Sequence, residues 1–576
     1  MMLRIRARLL IQGVGVALAA VLLAGCAPAA SPAPASPAPA QRVAAPQAPA
    51  APSAPVAPAA PQAPAARPAP TAQPSPTPTP LRSQAKKGGV LKEVIWADPS
   101  NLDMLEATSI VSLAAIGLSY DGLVKEDPLK PGQLAPDLAE RWDVSGDGRK
   151  VTFFLRKGVT FHNGRPFTSA DAKRSVERWM KDTDQLAPTL SAVIKSVEAP
   201  DPNTLVVNLG FAYPDLFKTF MMDWASVIPA DQPTSRNVRE VIGTGPFRFK
   251  QYQSSVAYEV VRNENYWNKG VPHLDGVTVY VISDRTTGLA AFRAGQIDIT
   301  APIYPTVPQH VAVDTLMKGQ ATAYLYPNSN WTTLYMPVNK KPWSDVRVRR
   351  AAFMVIDRKQ AVATVTQGLG TADGVLPPSV SALGPAELKN VPGWREPKSL
   401  DVEEARKLMA EAGYPKGFTT DVFRKTGADY EALVVFLKDQ WGKIGIEATN
   451  STRPGAAFFD FVYARSYQSM VDRHVFAPVT PDTILAQYYR SGSARNFADI
   501  TDKKLDEMID RQMSTLDPQE RKKQLKAIET YLYDNGLATV ISWGSYSQVW
   551  QKWVRDFVPG ETTFNNVRLE TVWLDR

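Results

Sequence analysis

Few residues in this sequence stand out for the chemistry they could do. One cysteine, Cys26, occurs in 576 residues, and it closes an apolar run from Leu9 to Ala24. A lone thiol excludes an internal disulfide. The four histidines, His162, His273, His310 and His474, are dispersed, and no HxxxH or cysteine pair offers a zinc site. Gly243-Thr-Gly-Pro lacks the Lys-Ser/Thr that would reach a phosphate and its magnesium. It reads instead as a bend that lets a strand pass close to another segment. Arg347, Arg349 and Arg350 spread over different faces at helical spacing, as a solvated or salt-bridged surface would. There is no Gly-x-Ser-x-Gly elbow and no Ser/His/Asp grouping in recognisable context. The chain is therefore read as a non-enzyme with no cofactor and no metal. A hydrolase is the less favoured alternative, because triads assemble in space rather than in sequence.

The elements around Cys26 give it a context. Arg4, Arg6 and Arg8 precede the apolar run, which is the charge and order of a secretory signal peptide over residues 1–25. The run falls short of the roughly 20 apolar residues that span a bilayer. Leu23-Ala24-Gly25-Cys26 resembles a bacterial lipobox, in which the cysteine is lipidated and becomes the first residue of the mature chain. Residues 26–87 then hold the lipidated cysteine and a Pro/Ala-rich tether. Eighteen of the 48 prolines lie between Pro28 and Pro80, with no acidic or aromatic residue among them, so the segment cannot bury enough apolar surface to order itself. At polyproline extension, 58 residues reach roughly 180 Å.

The net charge of +8 resides entirely in the first 87 residues. From Gly88 onward 57 basic and 57 acidic residues balance, which argues against a nucleic-acid footprint. The remaining 490 or so residues exceed one hydrophobic core and call for two or more lobes. Strands are predicted at 151–155, 205–209, 257–261 and 277–282. Helices are predicted from 168 or 169 to about 180, 346 to about 366, 401 to 413, 429–444, 501–516 and 518–533, several behind Ser, Thr or Asp caps. The mixture reads as α/β.

Three blocks then carry a resemblance. The first is Leu134-Ala-Pro-Asp-Leu-Ala-Glu-Arg-Trp142 with the run from Asp147 to Asp171. The second is Gly243-Thr-Gly-Pro-Phe-Arg-Phe249, with Arg262-Asn-Glu-Asn-Tyr-Trp267 and Ala294-Gly-Gln-Ile-Asp298. The third is Asn339, the stretch Pro342–Asp357 and Leu408–Pro415. Together they resemble the family 5 extracellular solute-binding proteins, the dipeptide, oligopeptide and nickel receptor group.

The resemblance implies a two-lobed periplasmic-binding-protein-like fold, type II with an extra subdomain, two hinge segments and a ligand cleft between lobes. Lobe one would be 88–326 plus 539–576, with the subdomain at about 126–240, and lobe two 327–538. It implies a monomeric, extracytoplasmic lipoprotein that hands a peptide or other small solute to an ABC permease and ATPase complex. A ligand-binding sensor or chaperone is the alternative. Arg424 matches the position that holds a peptide carboxylate. The peptide-amine position falls on Ala477, and Thr480 replaces the acid beside Pro481. That leaves Asp472, Arg473 and His474 as the candidate ligand contacts of this loop. Tyr120, Trp331 and Tyr335 are candidate cleft aromatics. Without the amine-binding carboxylate, simple dipeptides are expected to bind poorly.

Overall fold

The structure is a computed structural model, and it describes residues 85–576 apart from 108, 183–185, 233–240, 378, 455, 476–479 and 566–567. Cys26, the leader, most of the tether and Ala477 lie outside the described residues.

An eleven-stranded sheet organises the chain. Its middle is two long antiparallel strands, Ala321–Tyr335 and Val540–Gln551. Ser469–Val475, Phe418–Arg424 and Ile446–Thr452 extend the sheet on one side. Ile299–Thr300, Val90–Ile95, Gly276–Val281, Ala257–Arg262 and Phe247–Gln253 extend it on the other. The two long strands therefore belong to both halves. Their register runs from Ala321 opposite Gln551 to Tyr326 opposite Tyr546, slips, and resumes at Asn330 opposite Gly544. An irregularity of this kind bends a strand and re-aims side chains. It requires Gly544: a Cβ there would lie 2.5 Å from Asn330 Oδ1.

A separate four-stranded antiparallel sheet is ordered Ala139–Val144, Lys150–Leu155, Thr204–Leu209, Ile194–Asp201. Helix Ser169–Trp179 packs on it, started by a capping box in which Asp171 accepts from the backbone N–H of Thr168. Most of the predicted helices form where the caps stand. One differs: the helix expected from 346 to about 366 is two, Val346–Met354 and Arg358–Val365. Asp357 ends the first by capping the second, its carboxylate accepting from the N–H of Gln360 at 3.0 Å.

The residues of the recognisable blocks meet in space. Arg568 Nη1 donates to Asp121 (2.9 Å) and Asp137 (2.6 Å), both fully buried. Lys125 pairs with Glu570 at 2.5 Å. Three carboxylates thus face two cations, and neutral donors meet the surplus anion. Tyr266, Trp267 and Thr244 donate to Asp121, and the N–H of Gly122 donates to Asp137. The Gly243–Gly245 bend approaches the chain at Ser119 so closely that a Cβ on Gly243 would lie 1.9 Å from the Ser119 carbonyl oxygen. His162 holds the same bend through Gly245, its Nε2 3.0 Å from that carbonyl.

Candidate functional site

Beside the strand irregularity lies a cavity of about 520 Å³, within the range of small-ligand sites. Its wall comes from three places. Arg285, Ile303 and Thr306 rise from one half of the sheet. Asn330 and Gly544–Ser547 belong to the two long strands. Val365–Gln367, Asp429, Tyr430 and Arg473 come from the other half. A second cavity, about 430 Å³, is confined to residues 357–398. Part of its charge is paired within the protein, with Lys359 on Glu396 and both Arg395 and Lys398 on Asp401. Of these two cavities, the first is the one with walls from both halves of the large sheet.

The residues expected to meet ligand divide among three locations. Arg473 lines the cavity; its Nη1 donates to Asp429 at 2.8 Å and Nη2 to the Val365 carbonyl at 3.2 Å. Asp472 points the other way along the strand and is buried. Its Oδ1 accepts from Lys425 (2.7 Å), Tyr430 (3.2 Å) and the N–H of Arg473 (2.8 Å). It is a satisfied anion that supports the Tyr430 wall.

Trp331, Tyr335 and His474 form a buried aromatic cluster rather than a ligand surface. Trp331 stacks on Trp543 with centroids 5.4 Å apart, and His474 stacks on Phe497 at 5.8 Å. His474 Nε2 lies 2.8 Å from the Tyr335 hydroxyl. Burial pushes His474 down to about 4, more than the pull of nearby Asp472 restores, so at neutral pH it is an uncharged packing group. None of the three lines the cavity.

Arg424 and Tyr120 stand elsewhere. Arg424 is buried, paired with Glu431, and donates to Asn450 at 3.3 Å and to the Lys425 carbonyl at 3.1 Å. It is absent from the cavity wall because Glu431, in the first turn of helix Ala428–Gly442, takes its guanidinium. Tyr120 is core, 1% exposed, packed beneath the Gly243–Gly245 bend. Thr480 is a helix cap: its Oγ1 accepts from the N–H of Thr483 at 3.1 Å. Arg347 and Arg350 pair with Asp345 and Glu404, and Arg349 is spent on backbone carbonyls.

The sequence reading missed Arg285, Asp429, Tyr430 and Tyr546. Arg285 did carry a signal. It opens helix Arg285–Arg293 behind the Asp284 cap, where the helix dipole disfavours a cation. Burial raises the Tyr546 phenol, while Arg473 and Arg285 both pull it down, so both arginines act on that strand residue.

Among the described residues no three His, Cys, Asp or Glu side chains converge as a metal site, and no helix is long and apolar enough to cross a membrane.

Residues 133–496 match the model of the bacterial extracellular solute-binding proteins, family 5. The chain belongs to that family. Heme-binding protein A of Haemophilus influenzae is 31% identical over 354 residues, 55% of this chain and 62% of that protein. The chain thus spans about three fifths of that relative's length. The glutathione-binding protein GsiB of Escherichia coli (strain K12) is 26% identical over 463 residues, 77% of this chain and 87% of its own. Two solved structures share the two-lobed fold. DppA from Helicobacter pylori, in complex with peptide STSA, has TM-score 0.69 at 22% identity, over 85% of this chain and 99% of that one. AgaA from A. tumefaciens R10, in complex with agropinic acid, has TM-score 0.69 at 24% identity, over 85% and 99%. The blocks around Asp137, Thr244, Tyr266 and Trp267 lie within the matched residues.

Proposed function

We propose that this chain is the lipid-anchored, extracytoplasmic receptor of an ABC importer, which encloses a small organic solute between its lobes and delivers it to the permease. The observation that carries the reading is the cavity of about 520 Å³ bounded by both halves of the sheet and by the two strands that join them. A ligand touching both walls is desolvated from both sides as they close, so ligand stabilises the closed form. Lobe one is residues 88–326 with 539–576, lobe two is 327–538, and the receptor works as a monomer. No step calls for a catalytic group.

The names of the similar proteins give heme, glutathione, a peptide and agropinic acid as ligands. The fold therefore does not choose the ligand, and the wall must. Asp472 already pairs with Lys425, so its charge is neutralised within the protein before any peptide ammonium arrives. This supports poor binding of simple dipeptides.

A thermal-shift screen against dipeptides, sugars and organic acids tests the receptor reading. A ligand at a hundred times its Kd adds about 2.7 kcal/mol to stability. A large shift with unmodified dipeptides, abolished in Asp472→Asn, would restore a peptide receptor. The anchor is tested separately: Cys26→Ser should leave the membrane fraction, and retention there with unchanged mass would overturn lipidation at Cys26.

A further inference from the structure

Arg285 is a cation without a counter-ion. Its Nη1 donates to the Ile303 carbonyl at 3.0 Å, and its guanidinium carbon lies 5.0 Å from the centre of the Trp96 ring. Among the described residues no carboxylate lies within 4 Å of it. It occupies the first turn of a helix, where unsatisfied N–H groups already present positive charge. Burial makes its charged form less favourable, and Tyr304 and Tyr546 offset that only in part, with no carboxylate beside it. A half-buried cation with no counter-ion on the positive end of a helix goes against a local rule of folding, and such departures gather at functional positions.

The cavity wall supplies the complement. Its ionised groups are Arg285, Arg473 and Asp429. Arg473 and Asp429 pair with each other, which leaves a formal charge of +1 at Arg285. The two arginines come from opposite halves, and both act on Tyr546 of the strand between them. A planar guanidinium presents parallel N–H donors that match a carboxylate in bidentate geometry. We propose that Arg285 is the anchor for a carboxylate of the transported solute, with Arg473 facing it from the other lobe, so that one anionic group ties the two walls together. A single carboxylate cancels the surplus charge. A phosphate dianion would overshoot it, which selects an organic acid over a phosphate ester. The inference rests on the reading of this cavity as the ligand site.

The test uses matched probes on the purified full chain and on R285Q. N-acetyl-Ala-Ala is compared with its C-terminal amide, galacturonate with galactose, and acetate with chloride at equal ionic strength; orthophosphate is added as a separate arm. The expected result is that an acid binds at least tenfold more tightly than its neutral partner, or that acetate gives a saturable rise in Tm that chloride does not. R285Q should lose that preference while keeping the affinity for the neutral probe, and R285K should keep part of it. Equal binding of acid and neutral partner, or an acid preference that survives in R285Q, overturns the carboxylate anchor and leaves the cavity reading standing. Binding of orthophosphate in preference to every acid overturns the carboxylate assignment. No response to any probe, acetate included, removes both the anchor and the cavity reading that supports it.

Discussion

Two arginines in this molecule stand in opposite electrostatic surroundings, Arg568 buried among acids and Arg285 half-buried without one. Around Arg568, burial alone would lower the pKa of the guanidinium, but Asp137, Asp121 and Glu570 hold it well above its ordinary value. Four neutral donors complete the shell there. Around Arg285, burial outweighs the opposing pull of Tyr304 and Tyr546, and no carboxylate adds to it. A buried charge is tolerated when paired and hydrogen-bonded, and it is costly otherwise. The first site is charge-paired within the protein, with only Asp137 Oδ1 left without a hydrogen bond. The second has a partner missing, and it sits on a cavity wall. The same residue type is scaffold in one place and poised for a ligand in the other, and the number of nearby anions separates the two.

The strongest way to break that comparison is to remove each arginine in turn. Arg568→Met should cost on the order of 3–5 kcal/mol, because Asp121 would be left a buried unpaired anion and Asp137 would keep only Lys125, at 3.7 Å. Arg285→Gln should change apo stability by less than about 1 kcal/mol, or raise it slightly, since it deletes a desolvated charge with few contacts. Chemical denaturation monitored by tryptophan fluorescence reads both. Equal losses in the two variants would show that Arg285 is structural after all.

The same contrast explains what was legible in the sequence. The helix caps at Thr168 and Asp517 could be read, because capping depends on residues a few positions apart; the cap expected at Ser344 is Asp345, one residue on. The blocks around Asp137, Thr244 and Tyr266-Trp267 could be read as a pattern, yet their purpose could not. They converge with Asp121 and Arg568 across more than 400 residues of chain, and nothing local records that meeting. Arg424 was assigned to ligand because its neutraliser, Glu431, lies across a strand-to-helix turn. His474 and Tyr335 were assigned to the cleft for their chemistry, when the fold uses that chemistry in packing. Arg285 went unread although its place at a helix start was visible, since a cation there shows its meaning only once the absence of an acid is known.

A second test concerns pH. His474 titrates near 4 in the folded protein against about 6.5 unfolded, because burial disfavours its charged form. Between those values the unfolded chain holds a proton that the folded chain does not, so stability rises with pH across the window. It is complete above about 6.5 and is lost as pH falls toward 4, by up to about 3 kcal/mol for this group. His162, also pushed to about 4 by burial, adds a loss of the same sign. His474→Gln should be destabilised at pH 7.5 through lost ring packing, and should show a shallower fall toward pH 4.5 than the parent. An unchanged slope would place His474 in contact with water, in reach of the cleft.

The smallest effect should come from a third charged cluster, in which the surplus is negative. Arg521 donates to Asp215 at 3.1 and 2.7 Å and to Asp482 at 3.1 Å, one cation serving two carboxylates. Burial and the neighbouring Asp215 push Asp482 up, against the pull of Arg521. Unlike Asp121, Asp482 has little help from neutral donors beyond the Gln512 amide at 2.5 Å. A carboxylate whose folded pKa is raised contributes stability below its unfolded pKa and loses it as pH rises through the folded value. Asp482→Asn keeps a carbonyl oxygen to accept from Gln512 and removes the repulsion with Asp215. The variant should match the parent near pH 4 and exceed it by about 1 kcal/mol at pH 8 in urea unfolding. Asp215 precedes helix Leu216–Phe220, beyond the four-stranded sheet, while Arg521 and Asp482 lie on helices of residues 481–534. On the lobe boundaries proposed above, the contact joins parts of the chain assigned to different lobes. If Asp482→Asn instead lost stability at every pH, the surplus anion would be a structural partner of Arg521, as balanced as the network around Arg568, and the count of nearby opposite charges would no longer separate finished sites from unfinished ones.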